Sequence, residues 1–381
     1  MSLVWLRVAR AVRGLQHALV ELPTADSTGS GSFVSIVVPA RNEELVIDRC
    51  VRSLLAQRYG NFEVIALNDR STDRTRGRLE AIAATEEPLR ILDGEPLPEG
   101  WVGKCWAAFQ AAQAAHGDWL LFVDADTYYQ PAALASAVAF AERHQVDLLS
   151  LGPRQELGTF WERALLPAIF GIILTAGGPI SEVNDPTRPL AKAIGQFMLF
   201  RTSTYWAIGG HETVKDEIVD DFALARRVKG TGHHLRLASG RDLVSTRMYH
   251  SLPEIWEGFS KNSYAEARRQ PTGVVEAIVL PWLTIALPPL FGARALSRLL
   301  TRRRASWLEL SILIQSALQI GMLMDFAVQA VRLVRLSPFW ALTVPPGLLF
   351  FSAVMVNSTL RVLSGRGVTW KGRSYGLRPQ P

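Results

Sequence analysis

DWLLFVDAD, residues 118–126, runs through five consecutive apolar side chains, Trp119 to Val123, and then stops on two carboxylates one residue apart. An unbroken apolar run of this length, without alternation, is what a strand buried on both faces requires. Similar runs flank it: SFVSIVVPA (32–40), FEVIALND (62–69) and LRIL (89–92) before, and VDLLSL (146–151) after. Between them the pattern predicts helices from about Glu43 to Gln57, after the turn DRSTDRT, from near Gly103, and after Pro131. Strands alternating with helices of this length give an α/β fold with a Rossmann-like, mostly parallel sheet covered on both faces. Ligands of such sheets bind beyond the carboxyl ends of the strands. The chemistry is therefore expected at PARNEE (39–44), NDRSTD (68–73) and DADTYY (124–129).

Asp124 and Asp126 at a strand end can both reach one hard cation, and Mg²⁺ or Mn²⁺ binds through one or two carboxylates plus substrate phosphates. Asp69 closes the second strand, where a carboxylate can accept hydrogen bonds from a base or ribose, while Asp73 suits a helix N-cap. EIVDDFALARRVKG (217–230) reads as an amphipathic helix with Asp220 and Asp221 near its start. Those carboxylates complement a helix dipole, or serve as a general base at the mouth of the sheet. EGWVGKCWAA (99–108) has the look of a P-loop ending in Gly103-Lys104. That motif needs Gly at position 98 and Ser or Thr at 105; Pro98 and Cys105 exclude it. Lys104 instead falls near a helix N-terminus, where anions are favoured, and is expected to face a diphosphate. Trp101 is expected to wall a sugar or acceptor pocket and Trp106 to enter the core.

The chain has 381 residues, is 48% apolar and carries a net charge of +6, with mean hydropathy +0.12. Residues 274–293, 307–330 and 339–363 are apolar over lengths that suit a bilayer core. From Arg294 onward there are twelve basic and two acidic residues, which points to anionic lipid headgroups rather than nucleic acid. Two cysteines, Cys50 and Cys105, form neither a disulfide framework nor a metal-ligand spacing, so a reducing compartment is expected. Residues 1–31 read as a leader without a signal-peptide core, compatible with an interfacial amphipathic helix.

VVPARNEE, LNDRSTDRT, GWVGKCWAA, LLFVDADT, GQFMLFR, IGGHE, VDDFALARRVKG, RMYHS and GFSKN occur in an order that resembles family 2 glycosyltransferases, in particular the bacterial branch containing carotenoid and hopanoid-associated glycosyltransferases. The resemblance implies a glycosyltransferase A-type catalytic domain over 32–270, followed by a membrane region over 271–381. It implies a UDP-sugar donor, UDP-glucose in the first instance, bordered by Pro39, Ala40, Arg41 and Glu43, with Asp69 at the uracil–ribose end and Lys104, Asp124 and Ala125 along the rest. Asp126 becomes the principal ligand of Mg²⁺ or Mn²⁺, with Asp124 and His250 as further candidates. Asp221 becomes the base, Asp220 its alternative, and Trp101 and Gln196 fall at the acceptor. Asn68 and Asp220 depart from the family's usual Asp and Glu. The absence of a Q-x-x-R-W motif, with GFSKNSYAEARRQ in that region, argues against a polysaccharide synthase.

The implied enzyme is a membrane-bound, inverting hexosyltransferase acting on a lipid such as a carotenoid or hopanoid. Another lipid acceptor is the first alternative. A nucleotidyltransferase would want a glycine-rich loop after the first strand, which VVPARNEE lacks, and an inactive membrane scaffold would not need the carboxylates. Excess Arg and Lys in cytoplasmic loops tests the membrane arrangement. With the catalytic domain cytoplasmic at the inner membrane, Arg294 to Arg304 stay inside only if 274–293 is re-entrant or interfacial and 307–330 and 339–360 cross. LLPAIFGIILTAGG (165–178) would line a lipid entrance or pack in a core.

Overall fold

The computed structural model describes residues 20–24, 31–175, 178–269, 271–301, 306–370 and 373–375. Most of the expected leader lies outside these residues. The chain forms two compact units, one of 19–156 with 181–248, the other containing 157–180 and 249–381.

The first unit is built on a seven-stranded sheet. Its strands are β1 (Val34–Ala40), β2 (Phe62–Asn68), β3 (Leu89–Asp93), β4 (Trp119–Phe122), β6 (Leu148–Gly152), β8 (Met198–Arg201) and β9 (Leu235–Ser239), in the order β3-β2-β1-β4-β8-β6-β9. β1 pairs in parallel with β2, Val34 against Phe62 through Ala40 against Asn68, and with β4, Val34 against Trp119. β8 alone runs antiparallel to its neighbours β4 and β6. Val34, Ile36, Val38, Val64, Ala66, Trp119 and Leu121 are buried in one cluster, the consequence of strands covered on both faces. Residues Val20–Leu22 add to the sheet edge, exchanging backbone hydrogen bonds with Ser239. A second, three-stranded sheet joins β5 (Thr127–Tyr129), β7 (Arg154–Gln155) and β10 (Val244–Thr246).

The helices of this unit are α1 (Ile47–Leu55), α2 (Thr75–Ala83), α3 (Gly103–Gln113), α4 (Ala133–Arg143), α6 (Thr202–Ala207) and α7 (Asp220–Gly230), with a 3₁₀ turn at Gly210–Val214. The first helix begins four residues later than the periodicity predicts, because the loop before it is bonded elsewhere. The Glu43 N–H donates to Thr75 Oγ1 (2.8 Å), and the Glu44 N–H to Asp73 Oδ2 (3.1 Å). Thr72 N–H and Asn42 Oδ1 close the same interlock at 2.8 Å. Arg74, not Asp73, stands at the N-cap of α2 and no side chain caps it; Asp73, one residue earlier, accepts from the Thr75 N–H through Oδ1 at 3.0 Å. Asn42 and Arg70 take φ values of +53° and +54° there, a backbone conformation side chains rarely adopt.

The second unit holds α5 (Phe160–Thr175), α8 (Leu252–Arg269), α9 (Pro271–Thr301), α10 (Trp307–Leu333) and α11 (Val344–Leu363), followed by the hairpin β11 (Val368–Trp370) and β12 (Arg373–Tyr375). Glycines allow close packing: a Cβ on Gly171 would stand 3.0 Å from the Phe326 ring, and one on Gly347 3.0 Å from Ala168 Cβ. Polar stitches link the apolar helices. Trp282 Nε1 donates to Ser352 Oγ (3.1 Å), which donates to the Ile278 carbonyl (2.8 Å). Asn357 Nδ2 donates to Ser260 Oγ at 3.1 Å.

Three described helical segments are long and apolar enough to cross a membrane: Gly273–Thr301, Trp307–Leu333 and Pro338–Leu363. The segment 274–293, expected to be re-entrant or interfacial, lies within one continuous helix despite Pro281, Pro288 and Pro289. Of the apolar stretch at 165–178, residues 165–175 form part of α5 and pack with the C-terminal helices, Leu165, Leu166, Ala168 and Ile169 being buried.

Candidate active site

The D-x-D pair follows β4 directly, in the turn that leads into β5. This turn is tied at several points. The Asp124 carbonyl accepts from Thr127 Oγ1 (2.6 Å) and from Cys50 Sγ (3.6 Å). The Asp126 carbonyl accepts from the Arg247 N–H and from Thr246 Oγ1, both at 3.3 Å. The carboxylates of both residues are left half-buried, neither sealed in the core nor fully in water.

Lys104 lies in the first turn of α3 and reaches across to this turn. Its Nζ stands 2.8 Å from Asp124 Oδ1 and 3.6 Å from Asp220 Oδ1. A Cβ placed on Gly195 would come within 3.1 Å of Lys104 Nζ and 3.4 Å of Asp221 Oδ2, so Lys104, Asp124, Asp220 and Asp221 occupy one neighbourhood. Burial favours a neutral Lys104, but the three carboxylates more than offset it and hold the ammonium well above its usual range.

Asp220 and Asp221 open α7 and are held differently. Asp220 is buried, with Lys104 on one oxygen and His211 Nε2 3.6 Å from the other. Burial pushes its carboxyl up, but Lys104 and His211 outweigh that and leave it well below the usual carboxylate range. Asp221 is half-buried and accepts two backbone N–H bonds, from Gly195 (2.9 Å) and Phe222 (2.8 Å). Burial, and then the charge of Asp220, raise its carboxyl above the usual range in spite of Lys104 and those two bonds.

His211 was not among the residues the sequence singled out, although it stands in IGGHE. It is buried, its Nδ1 lies 2.8 Å from Tyr205 Oη, and its backbone N–H donates to that oxygen at 3.1 Å. Gly210, at φ +52°, makes the arrangement fit, because a Cβ there would stand 2.7 Å from the Tyr205 ring. The signal available was a histidine immediately after two glycines, close before an acidic pair.

The other expected donor residues line the ends of β1 and β2. Pro39 and Ala40 end β1, and the Arg41 guanidinium donates to the carbonyls of Asp69 (2.8 Å) and Arg70 (3.0 Å). Glu43 is half-buried in the interlocked loop. Asp69 is buried, beside a tight approach at Gly94, where a Cβ would stand 3.2 Å from the Asp69 Cα. Ala125 is buried between the two carboxylates. Gln196 is buried too, and its carbonyl accepts from Tyr129 Oη at 2.9 Å. Trp101 packs edge-on to Trp106 at 4.9 Å and against Phe109 at 5.2 Å. Trp106 is half-buried in this aromatic cluster, which continues to the exposed Trp206, rather than in the core. The wide Ala107, Ala108, Ala111 and Ala112 face of α3 is what enters the interior instead.

Among the described residues, no group of three or more His, Cys, Asp or Glu stands together to hold a metal unaided. The donor set nevertheless fits Mg²⁺ or Mn²⁺, which take one or two carboxylates and complete their shell with phosphate and water. His250 belongs to the helical unit, where its N–H donates to Glu254 Oε2 (2.9 Å) and its Nδ1 lies 3.5 Å from the same oxygen.

A mostly parallel sheet with carboxylates at its strand ends, one of them in a D-x-D turn, defines a nucleotide-sugar transferase fold of the glycosyltransferase A type. Residues 35–209 match the profile of glycosyl transferase family 2, and the chain is a glycosyltransferase carrying a domain of that family. It is 27% identical over 361 residues to a 4,4'-diaponeurosporenoate glycosyltransferase of Staphylococcus aureus strain N315, covering 94% of this chain and 92% of that one. The protein of the same name from strain USA300 is 27% identical over 348 residues, with 90% and 88% covered. Among solved structures, a mannosyltransferase from Pyrobaculum calidifontis, in complex with GDP-mannose and Mn²⁺, superposes with a TM-score of 0.54 at 18% identity, covering 94% of each chain.

Proposed function

We propose that this protein is a membrane-bound, inverting hexosyltransferase that moves a sugar, glucose in the first instance, from a UDP-sugar to a lipid acceptor of carotenoid or hopanoid type. The observation that carries the reading is the gathering of Lys104, Asp124, Asp220 and Asp221 in one neighbourhood at the strand ends, with Asp220 and Asp221 in opposite electrostatic settings. Groups whose surroundings drive their proton affinities apart are the usual sign of divided acid–base labour.

Asp221 is the base: half-buried, held by two N–H donors, and able to take the proton from an acceptor hydroxyl as it attacks the anomeric carbon. Such a base contributes about 10²–10⁴-fold to the rate. Asp220, buried and ion-paired, positions Lys104 and stays charged. Lys104 meets the diphosphate as charge develops on it, a form of stabilisation in place before the reaction. A Mg²⁺ or Mn²⁺ ion, bound through Asp126 and Asp124, would supply Lewis-acid stabilisation of the leaving diphosphate. Pro39, Ala40, Arg41, Glu43, Asp69 and Ala125 form the donor cradle, with Trp101 and Gln196 toward the acceptor.

The names of the Staphylococcus relatives support a carotenoid acid as one acceptor, and with such an acceptor the attacking group would be a carboxylate that needs no base. The three long apolar helices support an acceptor dissolved in a membrane. The test is incubation of the full chain with radiolabelled UDP-glucose and host lipid extract, with mass spectrometry of the products. Labelled lipid carrying one hexose is the expected product. Label appearing only in water-soluble glycosides would sink the lipid acceptor, and transfer from GDP-sugars alone would sink the donor.

A further inference from the structure

Lys104 does not stand apart in the site. Its ammonium is 2.8 Å from Asp124 Oδ1, within direct ion-pair range of one of the two carboxylates of the D-x-D turn. Asp220 holds the same ammonium from the other side at 3.6 Å, and Asp220 is itself braced by His211, which rests on Tyr205. Asp220, His211 and Tyr205 are all buried, so the brace is built into the fold rather than a surface pairing. A small residue is required beside the ammonium, because a Cβ on Gly195 would come to 3.1 Å from it. One positive charge is thus placed where the D-x-D turn would otherwise present a bare carboxylate beside Asp220 and Asp221.

We infer that Lys104 occupies the place of a divalent cation on Asp124 until a donor diphosphate draws its ammonium away, so that cation and nucleotide-sugar bind as a coupled pair. This rests on the donor and metal reading proposed above and goes beyond it. A cation arriving alone has to displace an ammonium that Asp220 also holds. A diphosphate arriving with it offers that ammonium new oxygens and leaves Asp124 to the cation. The device offsets part of the negative charge of the carboxylate cluster between turnovers and disfavours loading of the ion without its substrate.

The test is Mn²⁺ binding to the full chain, followed by electron paramagnetic resonance of free Mn²⁺, with and without UDP. Lys104→Met should bind Mn²⁺ in the absence of UDP roughly tenfold or more tightly than the wild type, because a competing positive charge a few ångströms from the cation is removed. The gain in Mn²⁺ affinity on adding UDP should shrink in the variant by a similar factor. Lys104→Gln, which keeps a polar end in the cluster, serves as the second variant if the first loses its fold, and the same tightening is expected. Equal or weaker Mn²⁺ binding by the folded variant without UDP would overturn the inference. If the wild type binds no Mn²⁺ even with UDP, the metal reading itself falls and the inference with it. If the wild type binds and the variants behave identically to it, only the coupling through Lys104 falls.

Discussion

Asp220 and Asp221 are adjacent in the chain, yet one is buried between Lys104 and His211 and the other accepts only backbone N–H groups. The groups facing Asp221 are Asp220 and Lys104, with the N–H groups of Gly195 and Phe222. Its carboxyl is raised, so the ionised base is present only above that raised value. Transfer to a hydroxyl acceptor should therefore increase with pH through the region of about 7, to which burial and the charge of Asp220 raise this carboxyl, and then level. A carboxyl acceptor is already ionised there. It needs no base and is repelled by an ionised Asp221, so its transfer should fall over the same range. kcat/KM against pH with the two acceptor types reads the difference directly. Asp221→Asn should cost hydroxyl transfer about 10²–10⁴-fold while UDP binding is kept; ordinary turnover of a hydroxyl acceptor by that variant refutes the base.

The small sheet β5-β10-β7 carries the D-x-D turn into the rest of the unit, and one pair of charges clamps it to α1. The Arg49 guanidinium meets Glu156 through two bonds of 2.9 and 2.7 Å, lies 4.8 Å over the Tyr128 ring, and Ser245 Oγ donates to the same carboxylate. The bond to Arg49 foremost, against some cost of burial, brings the Glu156 carboxyl down to about 2. A carboxyl depressed in the folded state contributes stability that is full above its unfolded value and is lost as pH falls toward about 2. Both side chains are partly in water, so the pair is worth about 1 kcal/mol rather than the full shift. Glu156→Gln should lower the melting temperature by about 2–4 °C at neutral pH, with the difference closing as the solution is acidified below about pH 4. A difference that persists unchanged at acid pH would show that the side chain acts by shape and not by charge.

At the level of the whole chain, three helices have the length and composition of membrane spans, but charge does not favour three crossings. If α9, α10 and α11 all cross from a cytoplasmic catalytic unit, Arg294, Arg298 and the arginines that follow, as well as the basic tail, come to lie outside, against the rule for cytoplasmic Arg and Lys. Two crossings, by α10 and α11, with α9 along the interface, keep both inside. Arg298 and Glu309 approach to 3.9 Å at that turn, joining α9 to α10 at their ends. A phosphatase or fluorescent reporter fused after Arg304 should report the cytoplasm; an extracytoplasmic signal would replace this arrangement with three spans.

Strands β1 to β4 and β6, the order of β1 to β4 with their helices, and the positions of the acidic turns are legible in the residues alone, because a strand buried on both faces leaves an unbroken apolar run and stops where the ligand must be reached. Gly103 as the start of α3 is legible too, whereas Arg74 rather than Asp73 stands at the N-cap of α2. Three things were decided only by the tertiary structure. The start of α1 moved to Ile47 because β1 and β2 ends bond to each other across 30 residues of chain. The apolar stretch at α5 joined the C-terminal helices, a choice composition cannot make because every one of these segments is apolar on most faces. The difference between Asp220 and Asp221 depends on His211, Lys104 and Gly195, which come from three separate parts of the chain. Local pattern determines which segments are strands and where their carboxylates fall; which carboxylate holds its proton is a property of charges that only folding brings within a few ångströms of one another.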